Sequence, residues 1–434
     1  MDITIEPGEH LQGQISVPGD KSISHRALIL SSLVEGPVEI EGLLEARDTL
    51  ATLNCLQKLG VEFQGDNKAL KVKGVGIRGY REPDNVLNAE NSATTARLLL
   101  GMLSGQPFFS TLTGDDSLRN RPMGRVCGPL KQMGAFIDGR GKGEYLPLYI
   151  RGCDLMPIHY QLPVASAQLK SALLLAALFT RGVSEIIESV PARDHTERML
   201  AYMGGRLVKQ EKKITLLAPF ALKAERLQIP GDVSSASFFL VAAALHPHGE
   251  LLINEVGINP TRTGIIDVLK KMGAAVKILN IRNCNGEPVA DLYIQGGSSL
   301  KGIEIDGEMI PRLIDEIPVI AVAALFAEGE TVIKGAAELR LKETDRLRVL
   351  TVELKKMGAV IEELPDGLVI KGKARLSGAR CSSHGDHRIA MALAVAALSA
   401  GSETVIQEAE AVDISFPGFF ELLQRITAVK LSAG

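Results

Sequence analysis

The sequence predicts an α/β protein built from six similar units in two domains, and three of its features carry that prediction. First, a polar, charge-bearing segment runs straight into a short apolar helix-like stretch six times, at a spacing of roughly 70 residues. Second, an amphipathic helix ending at Gly, followed by a small residue and a β-branched strand, recurs in phase with the first pattern. Third, ISVPGDKSIS near the N-terminus matches LQIPGDVSSAS at mid-chain, as two homologous halves would.

The apolar elements come in this order. GDKSISHR leads into ALILSSLVEG (Gly19 to Gly36), ENSATTAR into LLLGMLSG (Glu90 to Gly105), and ASAQLKS into ALLLAALFTRG (Ala165 to Gly182). In the second half, GDVSSAS leads into FFLVAAALHPHG (Gly231 to Gly249), LIDEI into PVIAVAALFAEG (Leu313 to Gly329), and GDHR into IAMALAVAALSAG (Gly385 to Gly401). A helix apolar all round belongs at the centre of a domain, with amphipathic helices and sheets about it. The amphipathic copies are LNCLQKLGVEF (Leu53 to Phe63), LKQMGAFID (Leu130 to Asp138), LAYMGGRLV (Leu200 to Val208), LKKMGAAVKI (Leu269 to Ile278) and LKKMGAVIEE (Leu354 to Glu363). A sixth, FFELLQRITAVKL (Phe419 to Leu431), is degenerate and lacks the Gly. The domain boundary is expected at about Leu227 to Asp232, and no linker stands out by composition, so the chain should pass between domains along paired strands.

Composition removes several classes. Lys plus Arg number 48 against 51 Asp plus Glu, so no global basic field serves nucleic acid or an anionic membrane. With 46% hydrophobic residues, no Trp and 4% aromatics, the cores should be large and aliphatic. Five scattered cysteines show no CxxC or His-Cys spacing, which argues for reduced thiols and against a structural zinc. The opening MDITIEPGEHLQGQISVPG lacks the features of a signal or transit peptide. No apolar run reaches the roughly 20 residues that cross a bilayer. A soluble cytoplasmic protein is expected.

The junctions carry the chemistry. Helix N-termini present unpaired N–H groups and the positive dipole end, so several aimed at one place form an anion site. Lys21 and Arg26 stand at such a start, where the dipole disfavours cations; Ser22 and Ser24 can cap it. Arg388 in GDHR repeats the anomaly. Arg119 and Arg121 lie on a loop before Pro122, and Lys342 and Arg346 in LKETDRL are four apart, on one face if helical, flanked by Glu343 and Asp345. Asp315 and Glu316 precede Pro318 and by themselves read as ordinary capping acids. An exposed ion-paired face would explain LKETDRL equally well. Taken together, Lys21, Arg26, Arg121, Lys342, Arg346 and Arg388 suit substrates bearing phosphate and carboxylate. The fourth junction, GDVSSAS, lacks Lys and Arg and reads as a structural echo contributing its dipole alone.

GDKSISHR, the RPMGR loop, LPVASAQLKSALLLAAL, LIDEIPVIAVAALFAEG, LKETDRL and GDHRIAMALA together resemble the 5-enolpyruvylshikimate-3-phosphate (EPSP) synthase family, in order and over nearly the whole chain. Several details are similar to its bacterial class II, glyphosate-tolerant branch. The resemblance implies a two-domain inside-out α/β barrel of six βαβαββ repeats, three per domain, with the active site in the interdomain cleft. The N-terminal domain would span 20–230; residues 1–19, forming a strand, would join 231–434. The implied reaction moves the enolpyruvyl group of phosphoenolpyruvate to the 5-hydroxyl of shikimate 3-phosphate and releases phosphate through a tetrahedral adduct, without metal or cofactor, in aromatic amino acid biosynthesis. No nucleic acid or membrane partner is implied, and a monomer is expected.

By the same resemblance, Lys21, Ser22, Arg26, Ser166, Gln168 and Arg193 hold shikimate 3-phosphate together with Asp315 and Lys342. Lys21, Asn91, Ala93, Arg121, Gln168, Arg346 and Arg388 surround phosphoenolpyruvate. Asp315 is the expected base for the 5-hydroxyl, Glu343 exchanges a proton with the methylene carbon, and Lys21 assists departing phosphate. An acid role for Glu343 among cations needs compensating desolvation. Ala93 stands where plant-like relatives carry Gly, which implies glyphosate insensitivity, and Asp413 to Pro417 lacks the Lys of the other class. Charged helix ends on two domains repel when empty, so an open form that closes on the anions is expected. Two alternatives compete. One is a UDP-N-acetylglucosamine enolpyruvyl transferase, whose relatives carry a reactive Cys just before the clamp arginine, where this chain has LTGDDSLRNRP. The other is a non-catalytic anion-binding protein on the same repeat.

Overall fold

A helix without a polar face must be enclosed, and the enclosure of six such helices organises this protein. In the computed structural model, which describes residues 1–8, 10–307, 309–429 and 431–433, they are α1 (Lys21–Ser32), α2 (Ala93–Leu103), α3 (Ala167–Ala177), α4 (Val233–Leu245), α5 (Ile317–Phe326) and α6 (His387–Leu398). Every residue of α6 is buried, as is every residue of α4 except Leu245. Such helices are stabilised by removal from water on all sides, at roughly 25 cal/mol per Å² of apolar surface.

The chain forms two compact units. The N-terminal domain comprises Gly19–Ile229 together with Asn283–Glu287, and the C-terminal domain comprises Met1–Pro18, Pro230–Arg282 and the chain from Pro288 onward. Asn283–Glu287, the turn between strands Ala275–Cys284 and Glu287–Gln295, thus clusters with the N-terminal domain rather than with the half of the sequence that contains it.

Among the described residues, each domain holds three four-stranded sheets. The second repeat shows the plan. Strand Leu87–Asn88 lies parallel to Phe109–Thr113, which pairs antiparallel with Leu148–Arg151, itself antiparallel to Phe136–Gly139. Helix α2 links the first two strands and helix Gly124–Gln132 the next two, giving β-α-β-α-β-β; the third and fifth sheets keep this strand order. The first and fourth repeats complete theirs with a strand from elsewhere. Arg226–Gln228 lies parallel to Glu35–Glu41, and Gln12–Ser16 lies parallel to the strand Glu250–Gly257. Each added strand runs into a Pro-Gly-Asp, at Pro18-Gly19-Asp20 and Pro230-Gly231-Asp232. The internal match therefore has one structural meaning: a strand that finishes one domain, then a turn that starts the first inner helix of the other. The N-terminal segment also contributes more than the single strand the resemblance implied. Ile3–Ile5 inserts between Thr404–Gln407 and Leu431–Ala433 in the sixth sheet, so the first residues serve two sheets.

The amphipathic helices end as their sequences demand. Gly60, Gly134, Gly204, Gly273 and Gly358 all take positive φ, between 86° and 108°, just past the last helical turn. Among the inner helices, Gly101 of α2 is required for another reason: a Cβ there would stand 2.2 Å from the carbonyl oxygen of Ala172 on α3. The expectation of purely aliphatic cores holds less well in the C-terminal domain. Phe238, Phe239, Phe416, Phe419 and Phe420 form one buried ring cluster with centroids 5.2 to 6.1 Å apart. No helix among the described residues is long and apolar enough to cross a membrane.

The degenerate sixth amphipathic helix, Phe419–Thr427, ends at Ala428 with φ 53°, in the left-handed region its five counterparts assign to Gly. Ala428 is exposed, so its methyl group gains little from packing. Ala428→Gly should therefore stabilise the C-terminal domain by about 1 kcal/mol, read as a higher urea midpoint at unchanged slope.

Candidate functional site

Within each domain the polar starts of the three inner helices meet. In the N-terminal domain, Arg26 on α1 donates from Nη2 to Ser171 Oγ on α3 at 2.6 Å, and Gln168 on α3 donates to Thr94 Oγ1 on α2 at 2.9 Å. In the C-terminal domain, Ser234 near the start of α4 donates to Glu316 ahead of α5, and Arg388 on α6 donates to the Asp315 carbonyl at 3.2 Å.

These ends are not the bare N–H funnels the repeat suggested. Asp20, Ser92, Ser166, Asp232 and Asp386 each cap their helix with a side-chain oxygen, accepting from Ile23, Thr95, Leu169, Ser234 and Arg388 respectively. The cap of α1 is thus Asp20 and not Ser22 or Ser24; Ser24 Oγ instead accepts from the Leu44 amide. Such a cap contributes about 1 kcal/mol, and it leaves ligand binding mainly to side chains.

The N-terminal set is rich in cations whose partners are neutral or shared. Lys21 Nζ lies 3.0 Å from Asp48 Oδ2, with both side chains largely covered. Arg26 is buried, and its guanidinium donates to Thr196 Oγ1 (2.7 Å), Ser171 Oγ (2.6 Å) and the Ser22 carbonyl (2.8 Å), all uncharged. Burial brings its proton affinity down to about 10, with nearby Arg193 adding to the effect and Glu197 and Asp20 opposing it. An anion at this point would relieve that cost. Arg121 Nη2 donates to Asn91 Oδ1 (3.1 Å), whose amide nitrogen donates to Asp115 (2.7 Å). Ala93, the first residue of α2, is buried at the head of the helix. Arg97, to which the sequence reading assigned no role, donates to Gln168 Oε1 and, at 3.1 Å, to the Pro122 carbonyl. It thereby ties α3 to the loop that carries Arg121. The available signal was an Arg at the end of the polar segment ENSATTAR, where the helix turns apolar.

The C-terminal set is balanced within itself. Glu316, the residue that precedes α5, does not cap it with its side chain. Asp315 Oδ1 stands 3.3 Å from Lys342 Nζ, 3.5 Å from Arg346 Nη1 and 4.0 Å from Arg388 Nε. Arg346 is buried and also meets Glu343 Oε2 (2.5 Å) and Asp386 Oδ2 (2.8 Å). Burial works against its charge, but Asp386, Glu343 and Asp315 outweigh burial and push its proton affinity above the ordinary arginine range. Lys342 and Arg346 do not share a helical face, because the helix starts at Arg346 and Lys342 is extended. They converge because both reach Asp315. The fourth junction is likewise more than an echo. Arg262, from outside the motif, donates to Asp232 Oδ1 (3.0 Å) and Ser234 Oγ (2.7 Å), so a cation is supplied there by tertiary structure.

Thiol chemistry is disfavoured at this place. All five cysteines are free, and burial pushes Cys127, on the helix after Arg121, up to about 12. No group of three or more His, Cys, Asp or Glu among the described residues is arranged to hold a metal.

Residues 5–423 match the sequence profile of the family described as EPSP synthase (3-phosphoshikimate 1-carboxyvinyltransferase). The chain belongs to the EPSP synthase family. It is 52% identical over 427 residues to a 3-phosphoshikimate 1-carboxyvinyltransferase of Pelotomaculum thermopropionicum, covering 98% of this chain and 99% of that protein. It is also 52% identical over 424 residues to the Bacillus cereus protein of the same name, at 98% and 99% coverage. The EPSP synthase structure from Acinetobacter baumannii superposes with a TM-score of 0.89 at 43% identity, over 100% of both chains. The fold is thus that of the family, a two-domain inside-out α/β barrel of repeated units.

His25, within GDKSISHR, is fully buried, with Nδ1 2.7 Å from Thr52 Oγ1. Burial, with Lys21 and Arg26 adjacent, holds it well below the usual histidine range, so it is a neutral structural group and not an anion ligand. Its folded-state affinity lies below the unfolded value near 6.5, so the unfolded chain binds the extra proton as pH falls through 6.5. Stability should therefore decline from pH 7 to 5.5, by up to about 1.4 kcal/mol per pH unit from this group. Urea unfolding of wild type and His25→Asn at both pH values checks this; the variant should show the smaller pH dependence.

Proposed function

We propose that this chain catalyses enolpyruvyl transfer from phosphoenolpyruvate to the 5-hydroxyl of shikimate 3-phosphate, releasing phosphate, as a cytoplasmic monomer. One observation carries the assignment of roles. Asp315 sits just ahead of α5, and its Oδ1 is shared by Lys342, Arg346 and Arg388. A carboxylate that faces three cations stands among the groups suited to anionic substrates, where a base for the 5-hydroxyl is needed.

Lys21, Ser22, Arg26, Ser166, Gln168 and Arg193 take shikimate 3-phosphate, with buried Arg26 meeting the phosphate. Lys342 holds ring hydroxyls, and Asp315 accepts the 5-hydroxyl proton as that oxygen attacks the enol carbon. Arg121, Arg346 and Arg388 grip phosphoenolpyruvate, with Asn91, Ala93, Gln168 and Lys21 around it. Glu343 is paired to Arg346. When phosphoenolpyruvate engages Arg346, Glu343 is released to carry the proton that the methylene carbon gains on addition and the methyl group gives back on elimination. Lys21 attends the departing phosphate. The inert, buried Cys127 argues against the UDP-N-acetylglucosamine reading.

Phosphate should be released from shikimate 3-phosphate plus phosphoenolpyruvate and not from UDP-N-acetylglucosamine plus phosphoenolpyruvate. Asp315→Asn should lower kcat by roughly 10²–10⁴ while shikimate 3-phosphate still binds; unchanged turnover in that variant would remove Asp315 from the chemistry.

Ala93 projects a methyl group at the head of α2 that crowds a phosphoenolpyruvate mimic longer than the substrate. Glyphosate should inhibit weakly, and Ala93→Gly should lower its inhibition constant; tight inhibition of wild type, competitive with phosphoenolpyruvate, would contradict this.

A further inference from the structure

A lysine is a costly guest inside an apolar helix, and α3 carries one that none of the roles above uses. Lys170 is fully buried. Its ammonium lies 2.7 Å from Glu188 Oε1, 2.7 Å from Glu197 Oε1 and 3.1 Å from the Ala192 carbonyl. Glu188 follows the strand Gly182–Ile187, and Glu197 lies in the first turn of the helix His195–Tyr202. Both carboxylates are almost wholly buried, and Lys209, partly exposed, stands farther off at 3.4 Å from Glu188 and 4.0 Å from Glu197. Glu188 Oε1 also accepts from the Ala192 amide at 2.8 Å, so the loop backbone is clamped through one carboxylate.

The clamped segment carries two groups that matter for phosphate. Arg193 sits in its middle, and Thr196 accepts from Arg26 Nε at 2.7 Å. Ser171, next to Lys170, meets both Thr196 Oγ1 (2.7 Å) and Arg26 Nη2 (2.6 Å). Without Lys170, Glu188 would keep Lys209 at 3.4 Å, but Glu197 would keep only Lys209 at 4.0 Å, and a buried charge that loses its close partner forces rearrangement. Arg26 is the neighbouring cation to which Glu197 would turn, and that pairing would spend the positive charge a phosphate needs.

We propose that Lys170 is a positioning residue for phosphate recognition: it anchors Glu188 to Glu197 against α3, keeps Glu197 from capturing Arg26, and sets where Arg193 stands. The inference rests on the reading of Arg26 and Arg193 as ligands of the 3-phosphate.

The test compares shikimate 3-phosphate with unphosphorylated shikimate by calorimetry on wild type and Lys170→Met. Loss of a charge-assisted contact predicts a fall of about 10- to 100-fold in affinity for shikimate 3-phosphate, with shikimate affinity unchanged. A merely structural lysine would weaken both ligands alike, and equal loss, or no loss, overturns the proposal. The KM for shikimate 3-phosphate should rise while that for phosphoenolpyruvate holds. In an Arg193→Ala background Lys170→Met should add less than it does alone, since part of its effect runs through Arg193; full additivity counts against it. Should Lys170→Met not fold, Lys170→Gln, which keeps a hydrogen-bond donor but no charge, should show the same loss of phosphate preference; failure of both to fold makes Lys170 a stability residue and overturns the inference. Wild type that binds no shikimate 3-phosphate defeats the parent reading, whereas wild type and Lys170→Met that bind it equally defeat only this one.

Discussion

The structure depends on one constraint: six helices with no polar side must be sealed from water, so their polarity can appear only at their ends. Sheets and amphipathic helices close around α1 to α3 in one domain and α4 to α6 in the other. Enclosure leaves each trio one polar end, and hydrogen bonds such as Arg26 to Ser171 and Arg388 to the Asp315 carbonyl show these ends meeting. A site for charged substrates is thus a by-product of burying apolar cylinders, and the residues at the mouths decide which substrates.

The two domains solve the electrostatics differently. In the N-terminal domain Arg26 is surrounded by hydroxyls and a carbonyl, and burial brings it down to about 10, so it gains from an incoming anion. In the C-terminal domain Lys342, Arg346 and Arg388 already face Asp315, Glu343 and Asp386. Buried pairs of this kind are costly to break, at about 3–5 kcal/mol when one partner is removed. Under the proposed roles, a substrate that takes Arg346 would exchange partners with Glu343, coupling binding to the availability of a proton carrier.

Much of the fold is legible in the sequence. Apolar runs located the inner helices, and Gly60, Gly134, Gly204, Gly273 and Gly358 located the ends of the amphipathic ones, because only φ > 0 satisfies a helix terminus there. The cations at helix starts stood out because the dipole opposes them. What escaped was whatever depends on partners distant in sequence. Lys342 and Arg346 looked like one helical face, yet Lys342 is extended and the two come together at Asp315. The fourth junction looked uncharged, yet Arg262 serves it. Ser22 and Ser24 looked like caps, but Asp20 reaches the Ile23 amide first. Lys170 and Arg97 were visible as charges in apolar helices, and only their partners Glu188, Glu197 and Gln168 explain them.

By itself the sequence determined the repeat, the class of each helix and the polar junctions, because each follows from local periodicity, backbone conformation or the chemistry of neighbours in the chain. Only the tertiary structure decided which carboxylate faces which cation, that two N-terminal strands complete two separate sheets, and that Asn283–Glu287 belongs with the N-terminal domain. Those outcomes turn on Coulomb and hydrogen-bond partners hundreds of residues apart, and such pairings are selected by burial, where an unmatched charge is most expensive.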